Sequence, residues 1–186
     1  MDFYYPAWSK PWEENWVPSA DSPQDVITAL RGSEHRWRSI SVHSGAWSPI
    51  QEFLGACITP SLPALESISF KKLGETPISP TPQSPIEWPA LFGGNGTLVP
   101  KLREVTLRRI HVDWTPAATS FQNLREFVIN HHSYEAGPIL RQFSALFAAS
   151  LMLETLGIPG CHPNPDDSPA QAPIPLVHLL ALKHLG

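Results

Sequence analysis

The stretch Leu102-Arg103-Glu104-Val105-Thr106-Leu107 returns soon after as Leu124-Arg125-Glu126-Phe127-Val128-Ile129. Both have an apolar residue at the first, fourth and sixth positions. The spacing recurs upstream in Leu65-Glu66-Ser67-Ile68-Ser69-Phe70 and downstream in Leu153-Glu154-Thr155-Leu156-Gly157-Ile158. Weaker copies stand at Trp37-Arg38-Ser39-Ile40-Ser41-Val42 and Val177-His178-Leu179-Leu180-Ala181-Leu182. The six starts are separated by 28, 37, 22, 29 and 24 residues. An L-x-x-L-x-L core at a period of about 20–29 residues is the spacing of leucine-rich repeats, and the longest interval accommodates an insertion.

The final apolar-x-apolar pair is a period-two signal, so each phrase predicts a short strand with both apolar side chains on one face. One such strand cannot bury that face alone, but stacked copies can. Helices are expected between the strands. Ser48-Pro49-Ile50-Gln51 reads as a capping box with proline at the first helical position. Ile50, Phe53, Leu54 and Cys57 then form one apolar stripe. Ser22-Pro23-Gln24-Asp25 opens a second helix with Val26, Ile27 and Leu30 inward, and Pro138 to Ala149 a third with Ile139, Phe143, Leu146 and Phe147 on one face. The short 102-to-124 interval leaves little room for a helix, and Trp114-Thr115-Pro116 is expected to make a turn or a single 3-10 turn. The predicted fold class is therefore α/β, an irregular leucine-rich-repeat solenoid with parallel strands on the concave face and short helices and loops on the convex face.

The totals agree with a folded domain. Of 186 residues, 21 are proline and 11 glycine, 42% are hydrophobic and seven are tryptophan. Proline at this level is roughly twice the usual ~5%, yet no proline falls inside any repeat phrase. Five stand in 74–89 and six in 159–175, so these two segments read as insertions following strands. The domain reading is a Trp-rich N-terminal segment over 1–21 and a repeat region over 22–186. Trp8, Trp12 and Trp16 either cover the open edge of the first repeat or form an aromatic docking strip, with Pro11 interrupting any continuous helix.

Thirteen basic residues against 17 acidic ones leave a net charge of −4, with no basic excess for nucleic acid. The start MDFYYPAWSKPWEENW lacks the basic and apolar regions of a secretory signal, and no apolar run approaches a membrane span. Cys57 and Cys161 make no disulfide or metal framework. A cytoplasmic or nuclear location with no membrane association is expected, and the Asn95-Gly96-Thr97 sequon would then go unused.

Several residues carry a resemblance. Glu34-His35-Arg36-Trp37-Arg38-Ser39-Ile40, followed by the capped helix and by Leu62-Pro63-Ala64-Leu65-Glu66-Ser67-Ile68, resembles the repeat region of F-box proteins from mushroom-forming fungi. Leu91-Phe92-Gly93-Gly94, Leu102 through Trp114, and Phe147 through Leu156 fit the same pattern, which spans roughly Val26 to Leu182. In that family an F-box binds a Skp1-type adaptor of a ubiquitin ligase, and the repeats select targets. The resemblance thus implies a protein target. A Skp1-type adaptor is implied only where an F-box is present, and no F-box-like helical segment precedes residue 22. The last phrase is followed by no capping helix, so a fragment of a longer protein or a shortened gene product is expected, and a relic without independent function is an alternative.

In such strands the residues flanking the last two apolar positions face outward in three columns. The first is Ser39, Ser67, Glu104, Glu126, Thr155 and Leu179; the second is Ser41, Ser69, Thr106, Val128, Gly157 and Ala181; the third is His43, Lys71, Arg108, Asn130, Pro159 and Lys183. The candidate binding residues are His43, Lys71, Glu104, Thr106, Arg108, Glu126 and Asn130. A cationic column beside Ser and Thr suits an acidic or phosphorylated peptide; the same columns also describe an ordinary solvated sheet face. The 74–89 segment carries Thr76-Pro77, Ser79-Pro80, Thr81-Pro82 and Ser84-Pro85. These fit kinase sites or a polyproline ligand, and equally a plain insertion.

No catalytic, cofactor or metal residue is expected. His111 with Asp113, the pair His131-His132, and Cys161-His162 lack the converging ligands and second shell of a metal site or an activated nucleophile. Phosphate-loop, dinucleotide, G-x-S-x-G and H-E-x-x-H motifs are absent from the sequence. An enzyme is the remaining alternative to an interaction module.

Overall fold

The computed structural model describes residues 2–5, 23–58, 62–74, 99–110, 112, 114, 121–130, 140–160 and 176–186. Its elements, in chain order, are β1 (Asp2–Tyr5), α1 (Pro23–Leu30), a 3-10 turn (Glu34–Arg36), β2 (Ser39–Ser44), α2 (Ser48–Ile58), β3 (Ser67–Lys72), β4 (Glu104–Arg108), β5 (Glu126–Asn130), α3 (Leu140–Ala149), β6 (Thr155–Gly157) and β7 (His184–Leu185). The class is α/β. The strands form one sheet in the order β1-β2-β3-β4-β5-β6-β7, and every neighbouring pair is parallel. Parallel neighbours need a crossover between them, and α1, α2 and α3 lie in three of these connections.

The repeat phrase sets the register. Ile68 aligns with Ile40 and Val105, and Phe127 aligns with Val105 and Leu156. One backbone device is copied from repeat to repeat. The carbonyl at the second phrase position accepts two N–H groups from the next repeat: Arg38 from Glu66 and Ser67, Glu66 from Arg103 and Glu104, Arg103 from Arg125 and Glu126, Arg125 from Glu154 and Thr155, and Glu154 from Lys183 and His184, all at 2.7–3.2 Å. The chain enters each strand by a tight turn in which the first-position N–H donates three residues back, as in Leu65 to Leu62, Leu102 to Val99 and Leu153 to Ser150.

Repeat 124–129 departs from this entry. Leu124 N–H donates instead to the Ser150 hydroxyl at 3.1 Å, and Asn123 stands at φ 59 with its N–H on Ala149 O. Asparagine tolerates this left-handed backbone better than most residues. Ser150 is fully buried, so its hydroxyl satisfies a donor that water cannot reach.

The first, fourth and sixth phrase positions build the core: Leu65, Ile68, Phe70, Leu102, Val105, Leu107, Leu124, Phe127 and Ile129 are all buried. Trp114 meets Phe127 edge-on at 6.3 Å, and Phe121 packs beside the same ring at 6.3 Å. Ile50, Phe53 and Leu54 of α2 are buried as their spacing predicts, and α2 packs on β2 and α1. Ile27 of α1 and Phe143 and Leu146 of α3 are buried too. The chain leaves β3 through Gly74 at φ 89 and follows β6 with Gly160 at φ 65, left-handed conformations that glycine adopts without a Cβ penalty.

Four expectations are corrected or extended. The α2 cap is displaced by one residue: Ser48 is already helical, Gln51 N–H donates to Trp47 O, and the Ser48 hydroxyl bonds Glu52 Oε1 at 3.0 Å. The last strand is not framed on Val177, Leu180 and Leu182. Leu185 aligns with Leu156, and Leu180 is 92% exposed. Leu176, Val177, Leu179 and Leu182 each begin an apolar-x-x-apolar match, and the Glu154 carbonyl selects the one that places Lys183 and His184 against it. The strand β1 adds a parallel neighbour on the open side of β2, where the sequence reading assigned no strand. Trp114 has helical backbone and is buried; Thr115 and Pro116 lie outside the described residues, as do Trp8, Trp12, Trp16, most of 74–89 and most of 159–175. Among the described residues no helix is long and apolar enough to cross a membrane.

Candidate interaction face

Because strand side chains alternate, the positions flanking the buried pair emerge on the opposite face of the sheet, and the in-register pairing lines them into rows. The first row reads Ser39, Ser67, Glu104, Glu126, Thr155 and His184; the second Ser41, Ser69, Thr106, Val128 and Gly157; the third His43, Lys71, Arg108 and Asn130. All seven candidate residues stand on this face, partly or fully exposed. The expected sixth members are replaced. His184 takes the place given to Leu179, and Lys183 lies one position ahead of the strand. Pro159 falls in the turn after β6.

The three rows differ in chemistry. Lys71 and Arg108 are adjacent in register, and neither side chain has an ion-pair partner among the described residues. Glu104 and Glu126 are also directly opposite one another. The rows lie four residues apart along β4, about 13 Å at ~3.3 Å per residue. Between them stand Ser69, Thr106 and Val128. Ser67 donates to the Ser39 hydroxyl at 2.8 Å, and Ser41 Oγ contacts His43 Nε2 at 3.3 Å as an i, i+2 pair on one strand. Asn130 Oδ1 is buried without a hydrogen-bond partner, while its backbone carbonyl accepts from Arg109 N–H at 2.9 Å. Arg109, at φ 56, also donates from its guanidinium to Gly74 O, which ties the ends of β3, β4 and β5 together.

A fourth row was missed from the sequence. It is the second phrase position, Arg38, Glu66, Arg103, Arg125, Glu154 and Lys183, stacked by the carbonyl ladder described above. Apolar periodicity hid it, because these residues precede the strands. The available signal was that every strong copy carries a charge at this position. Arg38, Ser39, Glu66, Ser67, Lys101, Arg103, Glu104 and Arg125 line an open cleft of about 440 Å3 here. Glu154 and Lys183 pair at 2.7 Å, and the hydrogen bond from Lys183, then its charge and the more distant Arg125, hold the Glu154 carboxyl below its ordinary range.

Among the described residues no group of three or more His, Cys, Asp or Glu is placed to hold a metal ion. His111, Asp113, His131, His132, Cys161 and His162 lie outside the described residues. The geometry offers charged and hydroxyl groups to a ligand laid across the strands. Comparison with known proteins finds no counterpart: no protein-family model matches the chain, and neither a curated protein nor a solved structure does.

Proposed function

We propose that the chain is a protein-interaction module, an irregular leucine-rich-repeat solenoid whose outward sheet face receives an acidic or phosphorylated segment of a target protein. The observation that carries this reading is the third row. Lys71 and Arg108 stand side by side without carboxylate partners among the described residues, next to His43. Charge-assisted bonds from such residues are worth about twice a neutral one. The sequential sheet order and the copied carbonyl ladder support the repeat architecture. The resemblance to fungal F-box repeats supports target selection for a ubiquitin ligase, with a Skp1-type adaptor engaged only by a chain that also carries an F-box. The role assigned involves no covalent chemistry.

A panel of acidic and phosphorylated peptides titrated against the full chain tests this. Lys71→Glu with Arg108→Glu should weaken at least one of these peptides at least about tenfold, one charge-assisted bond's worth. Unchanged affinity for every peptide overturns the reading.

A further inference from the structure

We propose that the cleft at the entry row is a second, separate binding site, and that it takes the phosphate group of a phosphorylated side chain. The row alternates in sign, with one exception. Arg38 stacks on Glu66, Glu66 on Arg103, Arg125 on Glu154, and Glu154 on Lys183, each pair opposite in charge. Only the step from Arg103 to Arg125 sets like on like, and strand neighbours lie about 4.8 Å apart. Lys101 lines the same cleft as Arg103 and Arg125, which adds a third cation to this step.

Arg103 is held ready for a ligand. Its Nη1 donates to Pro100 O at 3.1 Å and to Leu102 O at 2.9 Å. Those bonds fix the guanidinium plane and leave the Nε and Nη2 donors without a partner among the described residues, the fork that matches an oxyanion. Arg125 and Lys101 are exposed, and neither side chain has a hydrogen-bond or ion-pair partner among the described residues. Four cations against two carboxylates give the cleft lining a net charge of two positive on a chain of net −4.

The two carboxylates define what carries the phosphate. Glu66 and Glu104 line the same cleft as the cations, and Glu126 lies beside Glu104. A polyanion such as a nucleic-acid backbone would run against them. A peptide brings one dianionic group together with N–H donors that carboxylates accept. The site is distinct from the third row, since Arg103 and Arg108 are five residues apart, about 16 Å of strand.

The test uses the full chain with inorganic phosphate, a short capped phosphoserine peptide and its unphosphorylated form, followed by amide chemical shifts. Saturable, salt-weakened shifts centred on Arg103 and Arg125 are expected, with the phosphopeptide tighter than phosphate and the unphosphorylated peptide silent. Arg125→Gln with Lys101→Gln should weaken both phosphate ligands at least about tenfold without changing the melting temperature, because both side chains are exposed. Lys71→Glu with Arg108→Glu should leave inorganic phosphate binding within about twofold, which separates this site from the face. Absence of saturable phosphate binding, indifference to Arg125→Gln with Lys101→Gln, or equal binding of a DNA duplex at these residues overturns the proposal.

Discussion

Strands β2 to β6 come from copies of one phrase and β7 from a partial one, yet they are buried to different degrees. In β2 to β5 the fourth and sixth phrase residues are at most 4% exposed. Leu156 in β6 is still buried at 6%, Leu185 in β7 is 70% exposed, and the strands shorten from six residues to two. The phrase is similar; the neighbours are not. A side chain in β4 is covered by β3, by β5 and by the residues behind the sheet, whereas β7 has one described neighbour. Burial here belongs to the stack, and a repeat contributes stability in proportion to what flanks it.

The sharpest way to break the comparison is to cut the same kind of atoms from each region. Phe127→Ala removes a fully buried ring that touches Trp114 and Phe121, and should cost about 3–5 kcal/mol in urea denaturation. Leu185→Ala, at an exposed site, should stay within about 0.5 kcal/mol. Equal losses would show that the edge repeat is packed after all.

The next effect isolates the entry turn that only repeat 124–129 lacks. Ser150→Ala leaves the Leu124 N–H buried without an acceptor, which should cost about 1–3 kcal/mol. A loss below about 0.5 kcal/mol on Ser150→Ala would sink the hydrogen-bond account.

A smaller effect is expected where the two regions meet. A Cβ on Gly157 would lie 3.2 Å from Val128 Cγ1 and 3.3 Å from Cγ2. Gly157→Ala should be nearly neutral alone, because the half-exposed valine can turn away. In a Val128→Ala background it should stabilise by about 0.4–1 kcal/mol through the unfolded chain. Additive behaviour in a double-mutant cycle would show that the two side chains do not compete.

The smallest effect belongs to the Glu154–Lys183 pair, whose lysine is 63% exposed. Lys183→Ala should return the Glu154 carboxyl toward its ordinary titration range, read by carbon-13 shifts. The folded-state value is lowered, so the pair's contribution is present above the ordinary carboxylate range and is lost as pH falls through the lowered one. A Glu154 titration unmoved by Lys183→Ala would assign the shift to another group.

Much of this architecture is legible in the apolar phrase. Ile68 and Phe70, Val105 and Leu107, Phe127 and Ile129 identify strand, buried face and register together, because a one-residue slip would turn the whole set outward. His43, Lys71 and Arg108 follow as the opposite face. The phrase failed where apolar residues are too dense to choose a frame, at Leu176–Leu185, and where the informative residues are not apolar, at Arg38, Glu66, Arg103 and Arg125. Nothing local in Ser150 marks it as the partner of a backbone N–H 26 positions earlier.

By itself the sequence determined the class of fold, the order in which β2 to β6 stack and the residues that those strands hide or show, since alternation and repeat spacing are properties of a chain read along its length. Only the tertiary structure decided the carbonyl ladder that joins the entry residues. It sets Arg103 beside Arg125, and charges separated by 22 residues in the chain repel only once the ladder brings them together.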